Sequence, residues 1–470
     1  TDDFVDEAGC DATHCSLREA IQASLSGDMI EFDLSYPATI TLTDQIEIYK
    51  SIAIAGPGAA QLAISGGRFD ENYFDIQDGG IFELYGPYIG DGIMPISVDM
   101  SGLTIRDGRA SYGGAISNGS GSTLTLTDCV IGPNNIVIDA GGGIANEEGT
   151  LILNRSTIVE NHGTGSIGGA GIYSNGGFLT LINSTVTDNI TNNYGGGILV
   201  ENGSTLNLIH STVTSNLANE NYQTEDWGGG GGIYTRESTV YIQNSIVAGN
   251  SDWTDPATAG HAKWPDVYGT VNSLGGNLIG DGTGSTGWVS GELVGTAENP
   301  KNPFLVAMMI TLPSSPSATE VIYTYALLEN SPAIDAVGCL TEVTVDQRGV
   351  TRPQGSACDI GAFEVEVAQT IPLWEQLRRY GGSVISEPET DLGPIFAEDF
   401  ILDDDAVITQ IQFWNDVEIL GPDWEIHYIL YENSTETNLP EGYCKVNTSM
   451  VQLVLRIHLQ VPAYGFGFIP

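Results

Sequence analysis

Apolar and polar positions recur in one pattern between residues 124 and 250. Five segments align over eleven residues without a gap: Leu124 to Asn134, Leu151 to Asn161, Leu179 to Asn189, Leu206 to Asn216 and Val240 to Asn250, with starts 27, 28, 27 and 34 residues apart. Their first and third positions are Leu, Val or Ile, and between these stand Thr125, Ile152, Thr180, Asn207 and Tyr241. Alternation of this kind predicts a strand. The eighth position, Ile131, Ile158, Val186, Val213 or Val247, predicts a second short strand. Small side chains fill the turn between the two: Cys129, Ser156, Ser184, Ser211 and Ser245. Cys129 therefore reads as a buried isostere of serine rather than a reactive thiol. The last column, Asn134, Asn161, Asn189, Asn216 and Asn250, predicts a structural ladder of amides that bond along the stacking axis and satisfy a tight turn.

Glycines and an isoleucine precede each block, and Ile116, Ile144, Ile172, Ile198 and Ile233 lie 28, 28, 26 and 35 residues apart. This is a third strand in register with the others, with glycine supplying positive φ and close backbone approach. Three short strands per coil, each pairing with its equivalent about 4.8 Å along the axis, predict an all-β chain built as a parallel β-helix. Helical solenoids, leucine-rich repeats and propeller blades need other spacings. Strands extend upstream through Ile52–Ile54 and Leu103–Ile105 and downstream through Leu278–Ile279. The organisation expected is an N-terminal cap over 1–24, the β-helix over 25–300, last coils with a closing module over 301–366, a linker over 367–394 and a partial β-sandwich module over 395–470.

Composition narrows the partners. Fifteen Lys and Arg against 60 Asp and Glu give a net charge of −45 over 470 residues, which repels nucleic acid and anionic membrane surfaces. With 41% hydrophobic residues the chain still buries a core, and 60 glycines are what a solenoid with one glycine corner per coil requires. No apolar run reaches the length of a membrane-spanning helix. The near pairs Cys10/Cys15 and Cys339/Cys358 do not supply four Cys or His ligands at zinc spacing and predict two structural disulfides, hence an oxidising compartment. Residues 442–470 hold no Asp or Glu. A shifted reading frame there and in 305–318 is one reading, and an ordinary apolar final strand is the other.

Three motifs resemble those of exported bacterial proteins. Gly113-Gly114-Ala115-Ile116 with Val186-x-x-Asn189 resembles the GGAI and FxxN tetrapeptides of polymorphic outer-membrane repeats, in which Phe is here replaced by Val or Ile. Cys15-Ser16-Leu17-Arg18-Glu19-Ala20 resembles the N-terminal segment named CSLREA after its letters. Ser331 to Asp335, Asp346 to Gly349, Arg352-Pro353 and Cys358 to Glu364 resemble the choice-of-anchor module that closes such helices. Met308 to Pro313 departs from that pattern, which usually carries an Asn/Gly-Gly-Pro-Thr run. The resemblance implies a right-handed β-helix exported to the cell surface, outer membrane or medium of a bacterium, and it implies no particular reaction.

Candidate chemistry is sparse. Lyases acting on uronates need cationic groups against developing negative charge, yet Arg155 and Arg236 are the only Lys or Arg between residues 110 and 262. Glu160 and Asp188 share a column on adjacent coils, about 5 Å apart by strand spacing, which suits a retaining hydrolase pair; the same column elsewhere reads as a turn. His162 and His210 are isolated and read as structural or solvated. Asp281 to Gly284 and Asp403 to Asp405 are candidate Ca²⁺ loops or solvated turns, and no other cofactor is implied. The strongest binding candidates are Tyr222, Asp226, Trp227, Trp253 and Trp264, in neighbouring insertions of adjacent coils. They stack on sugars or a protein partner, or pack under their own loops. The expectation is a non-catalytic surface scaffold or adhesin-like protein that contacts carbohydrate or protein; a carbohydrate-active enzyme is the alternative.

Overall fold

The computed structural model describes Asp3 and residues 9–11, 14–67, 80–89, 92–219, 229–253, 265–312 and 319–366, with short strands between 400 and 460. The chain divides into Thr1–Glu366 and Val367–Pro470. The first unit is a parallel β-helix whose long sheets hold nine, ten and nine strands. We number them along a coil. Sheet 1 contains Leu124, Leu151, Leu179, Leu206 and Val240 in register, and sheet 2 contains Ile131, Ile158, Val186, Val213 and Val247. Sheet 3 contains Ile116, Ile144, Ile172, Ile198 and Ile233. All of these side chains point inward and are fully buried in one continuous core.

A fourth sheet stands where three strands per coil were expected. Arg109–Tyr112, Ile136–Ala140, His162–Gly163, Ile190–Thr191, Leu217–Ala218 and Ser251–Asp252 pair in parallel between sheets 2 and 3, and we call this sheet 4. It is invisible to hydrophobic periodicity because its inward residues are Val137, Gly163, Thr191, Ala218 and Asp252.

The corners repeat a local device. Between sheets 1 and 2, Asp128, Arg155, Asn183, His210 and Asn244 have φ of 54, 50, 47, 43 and 50°. Left-handed backbone turns the chain sharply and favours Asn, Asp and Gly. The residue that follows closes a ladder: the amide nitrogens of Cys129, Ser156, Ser184 and Ser211 donate to the hydroxyls of Ser156, Ser184, Ser211 and Ser245 at 3.1–3.2 Å. Between sheets 4 and 3 the corner residue is glycine. At Gly141, φ is 73° and a Cβ would stand 2.6 Å from the Ile144 carbonyl oxygen.

The corner between sheets 2 and 4 corrects the predicted asparagine column. Its left-handed residues are Asn134, Glu160, Asp188, Ser215 and Gly249, and the ladder is built by the next residue, Asn135, Asn161, Asn189, Asn216 and Asn250. Each Nδ2 donates to the next Oδ1 at 2.9 Å. Asn250 donates to Asp266 at 2.8 Å, so the chain of donors ends on a carboxyl oxygen. Asn134 is exposed and bonds Asp107, because Gly132-Pro133 adds one residue to this coil.

Both ends of the first unit are stapled by the expected disulfides, Cys10–Cys15 and Cys339–Cys358. In the Leu17–Ala23 helix, Ser16 and Glu19 form a reciprocal capping box, and Leu17 and Ile21 enter the core. Arg18 forks Asp3 at 2.9 and 2.6 Å and donates to the Asp44 and Gln45 carbonyls. Among the described residues Cys129 is the free cysteine, buried, with its thiol pushed up to about 12 by burial.

The closing residues lie along the side of the coils. Leu305–Leu312 and Thr319–Leu327 pair as an antiparallel hairpin, in the region where Met308 to Pro313 departs from the choice-of-anchor pattern. Thr157 Oγ1 donates to the Tyr323 carbonyl, and Gln347 Nε2 donates to Thr157 Oγ1 and the Tyr323 carbonyl at 2.9 and 3.0 Å. Further along sheet 2, Ile246, Ala248 and Leu278 form a second core with Val337, Cys358, Ile360 and Phe363. Arg352 ties this together: it donates to Glu364 at 2.8 Å, to the Gly361 and Asp359 carbonyls at 2.8 and 3.2 Å and to Asn183 at 3.4 Å. Asp346 is fully buried and accepts from the backbone of Arg348, Val350 and Glu364.

In the second unit, Glu425–Tyr428 pairs antiparallel with Ile457–Gln460, and Cys444–Asn447 is flanked in parallel by Phe400–Ile401 and Leu430–Glu432. Among the described residues no helix is long and apolar enough to cross a membrane.

Candidate functional site

Beside each inward isoleucine of sheet 3, and beside Val267 on the next coil, stands an outward residue, in the order Ser117, Ala145, Tyr173, Leu199, Tyr234 and Tyr268. Parallel in-register pairing stacks them along the axis. Tyr112, Ile167 and Tyr194, from sheet 4 and the connections leading to sheet 3, pack against this column and complete a cluster outside the main core. Tyr234 lies between two partners, with ring centroids 4.7 Å from Tyr194 and 4.8 Å from Tyr268. Tyr173 is 3% and Tyr234 8% exposed, whereas Tyr194 and Tyr268 are half-buried and form the accessible flank.

The next outward residues supply charge. Glu147, Asn175, Glu201 and Arg236 are paired neighbours on successive coils. The Tyr173 hydroxyl donates to Glu201 Oε1 at 2.9 Å, and Arg236 forms an ion pair with Glu201 Oε2. Burial first, and then the Glu201 charge, push the Tyr173 phenol far up, and burial with its tyrosine neighbours takes Tyr234 up to about 12. Both phenols therefore stay protonated donors at ordinary pH. Arg236 keeps a half-exposed side chain, so one face of its guanidinium holds Glu201 and the rest reaches solvent.

A cavity of about 470 Å³ adjoins this flank, lined by Tyr234, Arg236, Glu237, Ser238, Tyr268 and Thr270 among others. None of these residues was singled out from sequence as a binding group. A signal was present: Tyr follows the register residue in Ile172-Tyr173, Ile233-Tyr234 and Val267-Tyr268.

Of the aromatic candidates, Trp253 is half-buried at the end of sheet 4, where its amide donates to the Ala218 carbonyl at 3.1 Å. Tyr222, Asp226, Trp227 and Trp264 lie outside the described residues, as do Asp403 to Asp405. Both tryptophan-bearing segments lead directly into the sheet 3 strands that carry Tyr234 and Tyr268.

Glu160 and Asp188 do share a column on adjacent coils, at left-handed φ of 51 and 54°. Burial and the Asp188 charge raise Glu160, and burial raises Asp188. One Asp188 oxygen accepts from the hydroxyls of Thr187 and, at 3.4 Å, Tyr325, so the hairpin engages this acid. Their shared place is that of turn residues.

His210 is fully buried, and its Nε2 accepts from Asn244 at 2.9 Å. His162 is half-buried in sheet 4. Asp281 to Gly284 form a turn: Asp281 is 6% exposed, its Oδ1 accepts from the Thr283 amide at 2.8 Å, and its own amide donates to Asp266. Among the described residues no group of three or more His, Cys, Asp or Glu is placed to hold a metal ion.

Comparison with known proteins finds no matching family model, no matching curated protein and no matching solved structure.

Proposed function

We propose that this chain is a non-catalytic extracellular scaffold of adhesin type on a bacterial surface, contacting carbohydrate through the outward flank of sheet 3. The observation that carries the reading is the Tyr194–Tyr234–Tyr268 ladder beside the Arg236–Glu201 pair, on the coils that the tryptophan-bearing segments enter. Aromatic faces bordered by fixed donors and acceptors bind sugar rings by stacking and hydroxyl recognition. Ladders along the corners and two disulfides suit a rigid rod in an oxidising compartment. Export and a bacterial source rest on the CSLREA-like and choice-of-anchor-like motifs.

The full chain is incubated with insoluble neutral and acidic polysaccharides and sedimented. Binding to a neutral polysaccharide without release of reducing ends or unsaturated products is expected, with at least tenfold loss in the Trp227→Ala/Trp264→Ala double variant. Released reducing ends that vanish with Glu160→Gln would overturn the reading in favour of a hydrolase.

A further inference from the structure

The corner between sheets 3 and 1 shortens sharply at one place in the β-helix. From Leu199 to its sheet 1 counterpart Asn207 the chain takes eight steps, and from Tyr234 to Tyr241 it takes seven. On the following coil Tyr268 pairs with Tyr234 and Asn272 with Tyr241, so the same corner is made in four. The corner is three residues shorter than the one carrying Arg236–Ser238, and the cavity of about 470 Å³ lies between the two. Its size falls within the roughly 300–1,000 Å³ of small-ligand sites.

Its walls have a definite chemistry. Tyr268 gives an aromatic wall, stacked at 20° on Tyr234 and held there. Arg236 keeps part of its guanidinium free of Glu201, and Glu237 and Thr270 are exposed at the rim. Charge selects the class. Arg236 is matched by Glu201, Glu237 adds an acid, and the chain carries −45 overall, so an anionic group gains nothing here.

We propose that this corner cavity binds one ring of a neutral saccharide, its apolar face on Tyr268 and its hydroxyls on Arg236, Glu237 and Thr270. The site rests on the carbohydrate-contact reading above and gives it a location and a ligand class.

The test is saturation-transfer NMR and calorimetry on the full chain, with neutral methyl hexopyranosides, pentopyranosides and N-acetylhexosaminides as probes and glucuronate as the charged control. A neutral ring should bind at least fivefold more tightly than glucuronate. Tyr268→Ala and Thr270→Trp should each weaken it tenfold or more, and Arg236→Gln about fivefold. Thr270 is exposed, so Thr270→Trp fills the cavity while leaving the tyrosine ladder and the thermal midpoint in place. Neutral-ring binding that survives both Tyr268→Ala and Thr270→Trp overturns this site and leaves carbohydrate contact standing. Polysaccharide binding with no transfer from any neutral ring overturns it in the same way. Failure of both polysaccharide and ring binding overturns both.

Discussion

Sheet 2 turns Thr157, Thr185 and Thr212 outward, and the closing residues bond them to Gln347 and the Ala362 amide until they are buried. Sheet 3 turns Tyr173, Tyr234 and Tyr268 outward, and packing around them buries the first two and leaves Tyr268 half-buried. The two faces arise from one coil and one rule, an inward aliphatic followed or preceded by an outward residue. What differs is the chemistry set outside. Threonine hydroxyls at strand spacing form a row that a polypeptide edge satisfies, so sheet 2 recruits residues more than a hundred positions away. Tyrosine rings satisfy one another by stacking and leave a flank and a cavity open. Structure is thus completed on one side of the rod and presented on the other.

The strongest way to break this contrast is to uncover sheet 2. Arg352 is enclosed, with a side chain 0% exposed against Glu364 at 1%. Removing one partner of a buried pair strands the other charge and costs about 3–5 kcal/mol. Arg352→Met should therefore lower the unfolding free energy by that amount. Hydrogen exchange should rise over residues 343–364 and stay unchanged in the sheet 3 strands. Uniform loss of protection along the whole rod would contradict the separation of the two faces.

A smaller effect tests the ladder at the edge of sheet 2. Asn135→Ala leaves the Asn161 Oδ1 without its Asn135 donor and the Gly108 amide without its acceptor, for about 2 kcal/mol. Asn134→Gly keeps the positive φ of 63° and loses one exposed contact, so it should stay within about 0.5 kcal/mol. Urea titration separates the two, and equal effects would return the ladder to Asn134.

That one-residue difference shows what was legible in the chain. Three sheets were readable because their inward columns are aliphatic and evenly spaced. The ladder was readable as a column, but a gap-free alignment chose Asn134 because Asn134 and Asn135 are both amides and the insertion at Gly132-Pro133 has no hydrophobic signature. Sheet 4 escaped because Gly163, Thr191, Ala218 and Asp252 carry no shared polarity. The covering of sheet 2 escaped for a different reason: contacts such as Gln347 to Thr157 join polar residues far apart in sequence, and no local pattern specifies them. Tyr173, Tyr234 and Tyr268 were open to view beside the register residues. They passed unremarked because a residue's outward direction acquires meaning only when the coils are stacked.

Acid should sharpen the comparison, because the two faces titrate differently. His210 lies under the closing residues, against Asn244 and near Arg352 and Asp359, with Glu364 paired to Arg352. Burial, and then the Arg352 charge, hold its pKa down at about 3, against roughly 6.5 in an unfolded chain. The folded state therefore keeps His210 neutral while the unfolded state takes up a proton below about 6.5, and stability is lost as pH falls from there toward 3. Asp359 opposes this, since burial raises it to about 6 and protonation favours the folded state. The His210 contribution is isolated by comparing the chain with His210→Asn, a residue that tolerates the left-handed φ of 43°. Between pH 7 and pH 5 the variant should gain about 1–2 kcal/mol relative to the parent chain, read by urea unfolding at each pH. Hydrogen exchange should place that gain in residues 343–364. The phenols of Tyr173 and Tyr234, raised above the ordinary tyrosine value, stay protonated throughout, and Asp266, which burial raises to about 7, titrates alike in variant and parent, so the difference between the two leaves the sheet 3 strands unchanged. A gain spread equally over both faces would mean that sheet 2 and sheet 3 open together, and would undo the distinction between a covered side and a presenting one.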